Sequence, residues 1–430
     1  MASRRNFIQK AGLAVSGYLA GELSIPWIGD RLALINLESK DKTPEQLSSD
    51  ERFWQEIRQM YTVSPNMINL NNGGVSPQPL VVQEAVERYN KLSNEAPSYY
   101  MWRILDQGRE PLRAKLAALA GVSEEEIAVQ RNSSEALEAI IFGLSLNRGD
   151  EVVLTRQDYP NMINAWKQRA HRDGIILKWV NLELPSEDDD YIVDAYIDAF
   201  TERTRVVHIT HMINWCGQII PVRKIARQAR DRGIEILVDG AHTFAHLDFT
   251  VRDLECDYFG TSLHKWLCAP FGSGMLYVKK DKIKSLYPLF AAPDPVSDDI
   301  RKFEHLGTRS FAIEQAIGQA CDFHMMIGIK RKQARLHYLK NAWATEALKW
   351  EGVSVGTSLH PDYGCAIGLL QISGVPPREV AQALFRDFKI HAVAIEWENI
   401  SGVRITPNVY TVQYDIDRLL QGIRSIQQKQ

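Results

Sequence analysis

The chain predicts an α/β fold: a mostly parallel central sheet covered by helices, followed by a smaller C-terminal α/β domain. Three observations predict it. Short apolar runs alternate with segments of helical period from residue 126 to 238. A proline-rich connector, Ala291-Ala-Pro-Asp-Pro295, then interrupts the pattern. A second, shorter alternation fills the last 80 residues. At 430 residues, 45% hydrophobic and 24% charged, the chain has ordinary globular composition and length for two or three domains.

The N-terminal stretch reads differently. Arg4 and Arg5 precede an apolar run over 11–20 that is too short to span a bilayer. This resembles a bacterial twin-arginine export signal, expected over residues 1–35, and implies a periplasmic protein; a basic extension on a cytoplasmic protein is the alternative. Residues 36–66 form an N-terminal helical segment, with Pro44 in a first turn.

The large domain is expected over 67–295. It opens with Met67-Ile-Asn-Leu70 and the turn Asn71-Asn-Gly-Gly-Val-Ser-Pro77. Helices follow at 78–92 and 104–120, the second ended by Gly121. Strands at 126–129, 151–154, 177–181, 205–210 and 234–238 then alternate with helices at 133–146, 159–172, 192–200 and 222–232. The remainder, 296–430, holds a long helical stretch over 310–350 and then the small domain. Its strands are expected at 365–372, 391–396 and 402–405, its helices at 377–388 and 414–428. In such sheets ligands bind beyond the carboxyl ends of strands, where Asn132, Asp158, His211 and Asp239 fall.

Composition excludes several classes. A net charge of −3 gives no reason to expect nucleic acid or an anionic membrane as partner. No apolar run calls for stable membrane insertion. The five cysteines form no close pair, so no metal site and no disulfide framework is expected.

The chemistry centres on two residues. Ile234-Glu-Ile-Leu-Val238 delivers Asp239, and 26 residues later Ser262-Leu-His-Lys265 delivers a lysine amid small and apolar residues. A carboxylate and an amine presented this way suit pyridoxal 5'-phosphate. The amine forms a Schiff base with its aldehyde, and the carboxylate pairs with the protonated ring nitrogen. Asn132-Ser133-Ser134-Glu135 opens a helix directly after a strand, a good phosphate cradle.

These motifs, in this order, resemble fold-type-I pyridoxal phosphate enzymes of the class V aminotransferase family, in particular its isopenicillin N epimerase-like branch, with cysteine desulfurases, selenocysteine lyases and kynureninases as relatives. The resemblance runs from about Asn69 to the C-terminus. It implies Lys265 as the catalytic lysine, Asp239 at the pyridine nitrogen and Ala241 flat against the ring. His242 and Asn214 would lie near the phenolic oxygen. Ser133, Ser134, Ser262 and His264 would surround the phosphate, and Tyr159 would stack on the ring where relatives carry histidine. Gly307-Thr308 would reach the phosphate of a neighbouring subunit, which implies a homodimer with shared sites. Arg404 would hold the substrate carboxylate. Asn72 and Gly73 would lie over a small-molecule amino substrate, with Tyr99, Tyr100 and Trp102 lining the pocket.

The reaction expected is chemistry at the α-carbon of an amino acid or peptide-like amine. Alternatives are a C–S lyase acting by β-elimination and, given export, periplasmic tailoring of a siderophore glutamate side chain. A non-catalytic binding protein of the same fold is the contrasting class, and retention of both Lys265 and Asp239 argues against it. Desulfurases carry a nucleophilic cysteine shortly before the arginine matching Arg404, whereas this chain has no cysteine after Cys365.

Overall fold

The computed structural model describes residues 26–429; the twin-arginine motif lies outside them. A seven-stranded sheet forms the centre. Its spatial order is Ile127–Gln130, Gly274–Val278, Tyr258–Ser262, Glu235–Asp239, Thr204–Thr210, Glu151–Thr155 and Ile176–Val180. All neighbours run parallel except Gly274–Val278, antiparallel to both strands beside it. The strands read as continuous apolar runs because both faces are covered. Val153, Val207, Ile236 and Val238 pack into one core, while Val152, Leu154, Val206 and Leu237 pack into another on the opposite face.

The strand Gly274–Val278 was not expected. It follows a Gly- and Pro-rich stretch with no intervening helix, so the strand–helix alternation carries no signal for it. It also passes very close to the helix Ser133–Gly143. A Cβ at Gly274 would lie 2.6 Å from the backbone nitrogen of Asn132. Only glycine lets the strand approach that helix start.

The small domain carries a four-stranded antiparallel sheet, ordered Val393–Trp397, Ile400–Ile405, Gly368–Ile372 and Val353–Val355. Pro377–Phe388 and Gln413–Gln427 cover it. The expected helical stretch over 310–350 is two helices, Phe311–Ile327 and Ile329–Ala347, because Gly328 takes φ 87° between them.

Three boundaries shift. Residue 35 falls inside the helix Pro26–Glu38, whose Ile28, Leu32 and Ile35 are buried in the main core. Ile68–Asn69 pairs with Ile390–His391, and Leu70 is buried in the small domain's core. The segment expected to open the large domain therefore belongs to the small one, because its hydrogen-bonding partners come from the far end of the chain. The helix expected from 104 starts at Arg109, after a π-turn at Tyr100–Ile104 and a 3-10 turn at Leu105–Gly108.

Candidate active site

Asp239 ends the strand Glu235–Asp239 and is buried. One carboxylate oxygen accepts the N–H of Ala241 at 2.9 Å, and Ala241 is buried beside it. Burial raises the Asp239 pKa, opposed by the nearby His208 ring and Lys265 ammonium. Lys265 follows the strand Tyr258–Ser262 and is half-buried. Burial brings its ammonium down to about 8; Asp239 pulls upward and Arg404 pushes further down. Lys265 Nζ lies 3.0 Å from His242 Nε2. Burial, with Lys265 and Arg404 adding to it, holds His242 neutral.

Ser133 and Ser262 meet at the start of the helix Ser133–Gly143. The Ser133 N–H donates to Ser262 Oγ at 2.9 Å, and the two hydroxyls are also 2.9 Å apart. Ser134 Oγ accepts from Asn161 Nδ2 at 3.3 Å. His264 Nδ1 lies 3.0 Å from the Ser273 carbonyl, and its own carbonyl accepts the Ser76 N–H at 3.1 Å. The two serines and the helix N-terminus thus sit beside the lysine-bearing loop.

Arg404, on the small-domain strand Ile400–Ile405, reaches back to the large domain. Its Nη1 donates to the carbonyl of Asn214 at 2.9 Å, and its Nη2 to Asn71 Oδ1 at 3.1 Å. Burial brings its guanidinium down to about 10. Arg404 Nε and Asn214 Oδ1 are both buried without a hydrogen-bond partner among the described residues. Gly73 packs against the same guanidinium: a Cβ there would lie 3.6 Å from Arg404 Cζ. Tyr159 is 41% exposed and runs nearly parallel to Trp215, centroids 6.4 Å apart.

Asn72 joins segments by its side chain, and the Gly307-Thr308 loop, expected to serve a neighbouring subunit, stands apart from Lys265 of its own chain. Asn72 is fully buried, its Nδ2 donating to the Thr406 carbonyl at 2.8 Å and its Oδ1 accepting from Tyr410 at 2.7 Å. Its side chain is spent on joining segments, and Asn71 next to it makes the contact to Arg404. Gly307 and Thr308 are exposed, and no hydrogen bond joins them to the Lys265 group. Trp102 sits with them, edge-on to Phe311 at 4.9 Å. Tyr99 is exposed, edge-on to Tyr100.

Sequence reading missed Trp266, His246 and His208. The Trp266 indole N–H donates to His242 Nδ1 at 3.4 Å. His246 stacks on the Trp266 ring, 3.8 Å away at 20°. His208 is buried next to Asp239's strand and accepts the Trp166 N–H on Nδ1 at 3.3 Å. The signal for Trp266 and His246 was their spacing: Trp266 directly follows Lys265, and His246 follows His242 by four residues.

The model of the family described as aminotransferase class-V matches residues 68–419. The chain is 28% identical to isopenicillin N epimerase of Streptomyces clavuligerus over 391 residues, covering 87% of this chain and 98% of that protein. It is 27% identical to a probable cysteine desulfurase of Halalkalibacterium halodurans over 399 residues, covering 86% and 96%. Among solved structures, the apo cysteine desulfurase of Thermococcus onnurineus superimposes with a TM-score of 0.78 at 22% identity, covering 87% and 98%, a likeness of fold. Pyridoxal phosphate is the cofactor of the family, and the residues present fit it. An amine and a carboxylate in mutual electrostatic reach could take its aldehyde and ring nitrogen. A helix start with two joined serines could take its phosphate. The chain, with its central sheet, its lysine and aspartate at neighbouring strand ends and its match over most of its length, belongs to the aminotransferase class-V family and is a pyridoxal phosphate-dependent enzyme.

Proposed function

We propose that this enzyme moves a proton at the α-carbon of an amino acid or peptide-like amine, in the manner of isopenicillin N epimerase. The observation that carries the reading is the Lys265 amine, brought down to about 8 and set 3.0 Å from His242. An amine with that pKa is about one-tenth unprotonated at pH 7, where an ordinary lysine is almost wholly protonated, and can work as a general base. Pyridoxal phosphate, when bound, supplies the electron sink that acidifies the α-hydrogen. In this reading Lys265 would hold the cofactor by its aldehyde and would carry the α-proton away from the substrate and back. Asp239 keeps positive charge on the ring nitrogen. Arg404 takes the substrate carboxylate, its Nε being already buried and free. Ser133, Ser134, Ser262 and His264 hold the phosphate end, Asn214 and His242 the phenolic oxygen, and Tyr159 one ring face.

A cysteine-persulfide reaction is disfavoured by the thiols themselves. All five cysteines are buried, and burial pushes Cys216, Cys321 and Cys365 up to about 12. β-Elimination needs only Lys265 and is separated from epimerisation by its products.

The test has two parts. The purified protein should be yellow, and borohydride reduction followed by peptide mapping should place the adduct on Lys265; an adduct on another lysine would overturn the assignment. Free amino acids and short peptides incubated in deuterated water should then show α-hydrogen exchange. Keto-acid or ammonia release without exchange back into the amine would count against an epimerase.

The same reading extends to assembly and location. The exposed Gly307-Thr308 loop supports a homodimer in which it completes the partner's site. Arg4 and Arg5 support export by the twin-arginine route. Replacing both by lysine should leave the protein in the cytoplasm; undiminished periplasmic delivery would refute the export reading.

A further inference from the structure

We propose that Trp266 is a positioning residue that fixes the tautomer of His242, so that His242 presents a proton, and not a lone pair, to the nitrogen of Lys265. The inference rests on the proposed role of Lys265 for its catalytic meaning, but its geometry is independent of that role.

A neutral imidazole carries one N–H and one lone pair. The Trp266 indole can only donate, and it points at His242 Nδ1 from 3.4 Å. His242 Nδ1 is therefore the acceptor, and the single ring proton sits on Nε2. That N–H faces Lys265 Nζ at 3.0 Å, so the lysine must offer its lone pair. An ammonium at Lys265 would set two donors against each other across that contact.

The scaffold behind Trp266 is fixed by the same reasoning. The Ala366 backbone N–H donates to His246 Nε2 at 3.1 Å, leaving the His246 proton on Nδ1, which donates to the His242 carbonyl at 2.7 Å. The His246 ring then lies flat on Trp266 at 3.8 Å. Each member has one donor assignment that satisfies its neighbours. The charges acting on the pair are Asp239, which favours an ammonium at Lys265, and Arg404, which opposes it; His246 acts on His242 as well, and burial keeps both rings neutral. The tautomer adds a directional term on the side of Arg404.

The experiment uses the full chain stripped of cofactor, with ¹⁵N-labelled histidine. Long-range ¹H–¹⁵N spectra above pH 8 distinguish the two tautomers, and the His242 signal is identified by its loss in His242→Gln. The expected wild-type pattern is Nε2–H; an Nδ1–H pattern overturns the proposal, whatever any variant does. In Trp266→Phe, which keeps a ring for His246 to stack on, His242 should move toward Nδ1–H. The pH midpoint for chemical labelling of the Lys265 amine should rise by ~1 unit, the size of one hydrogen bond. An unchanged tautomer and midpoint in a folded Trp266→Phe protein also overturns it. Both readouts precede cofactor addition. A borohydride adduct mapped away from Lys265 would sink the proposed function and leave the tautomer result standing.

Discussion

Lys265 is where pH acts most directly on this enzyme. Its amine must be unprotonated to attack an aldehyde, and a free lysine reaches that state only around pH 10.4. Here burial lowers the midpoint to about 8. The depressed value means that the reactive amine is gained as pH rises through 8 and lost as pH falls through it. The rate at which cofactor-free protein takes up pyridoxal phosphate should therefore climb with pH through a midpoint near 8 and level off about one unit higher, measured by the growth of the visible absorbance band; a midpoint near 10 would refute the desolvated lysine. Lys265→Ala should fold normally, as judged by circular dichroism, and show no turnover and no borohydride-stable adduct. Asp239→Asn would remove the charge proposed to keep the ring nitrogen protonated. Its rate should fall by at least about 100-fold, or ~2.7 kcal/mol of barrier, with the absorbance band retained; near-normal turnover would count against the pairing. At this scale the sequence was most legible where a strand delivers the side chain: Asp239 ends one strand, Lys265 follows the next, and Arg404 reaches across to Asn214. The places of Asn71 and Asn72 were not legible, because a run of two asparagines does not say which side chain turns inward to join segments and which reaches the arginine.

Elements show the same division. Four of the five parallel strands were legible because a sheet covered on both faces needs apolar runs, and the helices between them because apolar residues recur at helical spacing; Tyr258–Ser262 was not, since Gly, Thr and Ser fill its second half. The antiparallel strand Gly274–Val278 was hidden by the glycine and proline that bring it close to the helix Ser133–Gly143. The helix Pro26–Glu38 was hidden by its position next to the apolar N-terminal run. Its burial carries a testable consequence. Ile28, Leu32 and Ile35 are each at most 3% exposed, and Asn36 Nδ2 donates to the Met326 carbonyl at 2.9 Å. At ~1.5–3 kcal/mol per buried aliphatic side chain, losing the three removes roughly 5–9 kcal/mol, comparable with the whole stability of a typical domain. Protein starting at residue 39 should be insoluble or lose the cooperative transition shown by protein starting at residue 26. Equal stability of the two truncations would show that this helix contributes nothing to the fold.

Across the whole molecule, the candidate site joins both domains, since Arg404 of the small one donates to Asn214 of the large one and to Asn71, whose segment runs with the small domain. The proposed homodimer would need exposed aromatic surface to bury. Trp102 is 40% exposed beside Gly307 and Arg309, and Phe290 is 43% exposed over Arg131, which adjoins the Asn132–Ser133 helix start. Large aromatics next to arginines and a loop open to solvent are the composition of an interface core. If a second copy covers this face, its Gly307-Thr308 loop can approach the phosphate end of the first copy's site, which makes cofactor retention depend on assembly. Trp102→Glu places a charge beside the Gly307-Thr308 loop and removes an exposed aromatic, a change worth at least ~2 kcal/mol if Trp102 is an interface hot spot. Sedimentation should show the wild type as a dimer and the variant dissociating at about 30-fold higher protein concentration. Over the same concentration range the variant should lose its visible band as it becomes monomeric, although Trp102 makes no hydrogen bond or ring contact with the Lys265 group. A variant that becomes monomeric yet keeps its cofactor would separate assembly from the site, and a wild type that is monomeric and fully loaded would remove the shared site altogether.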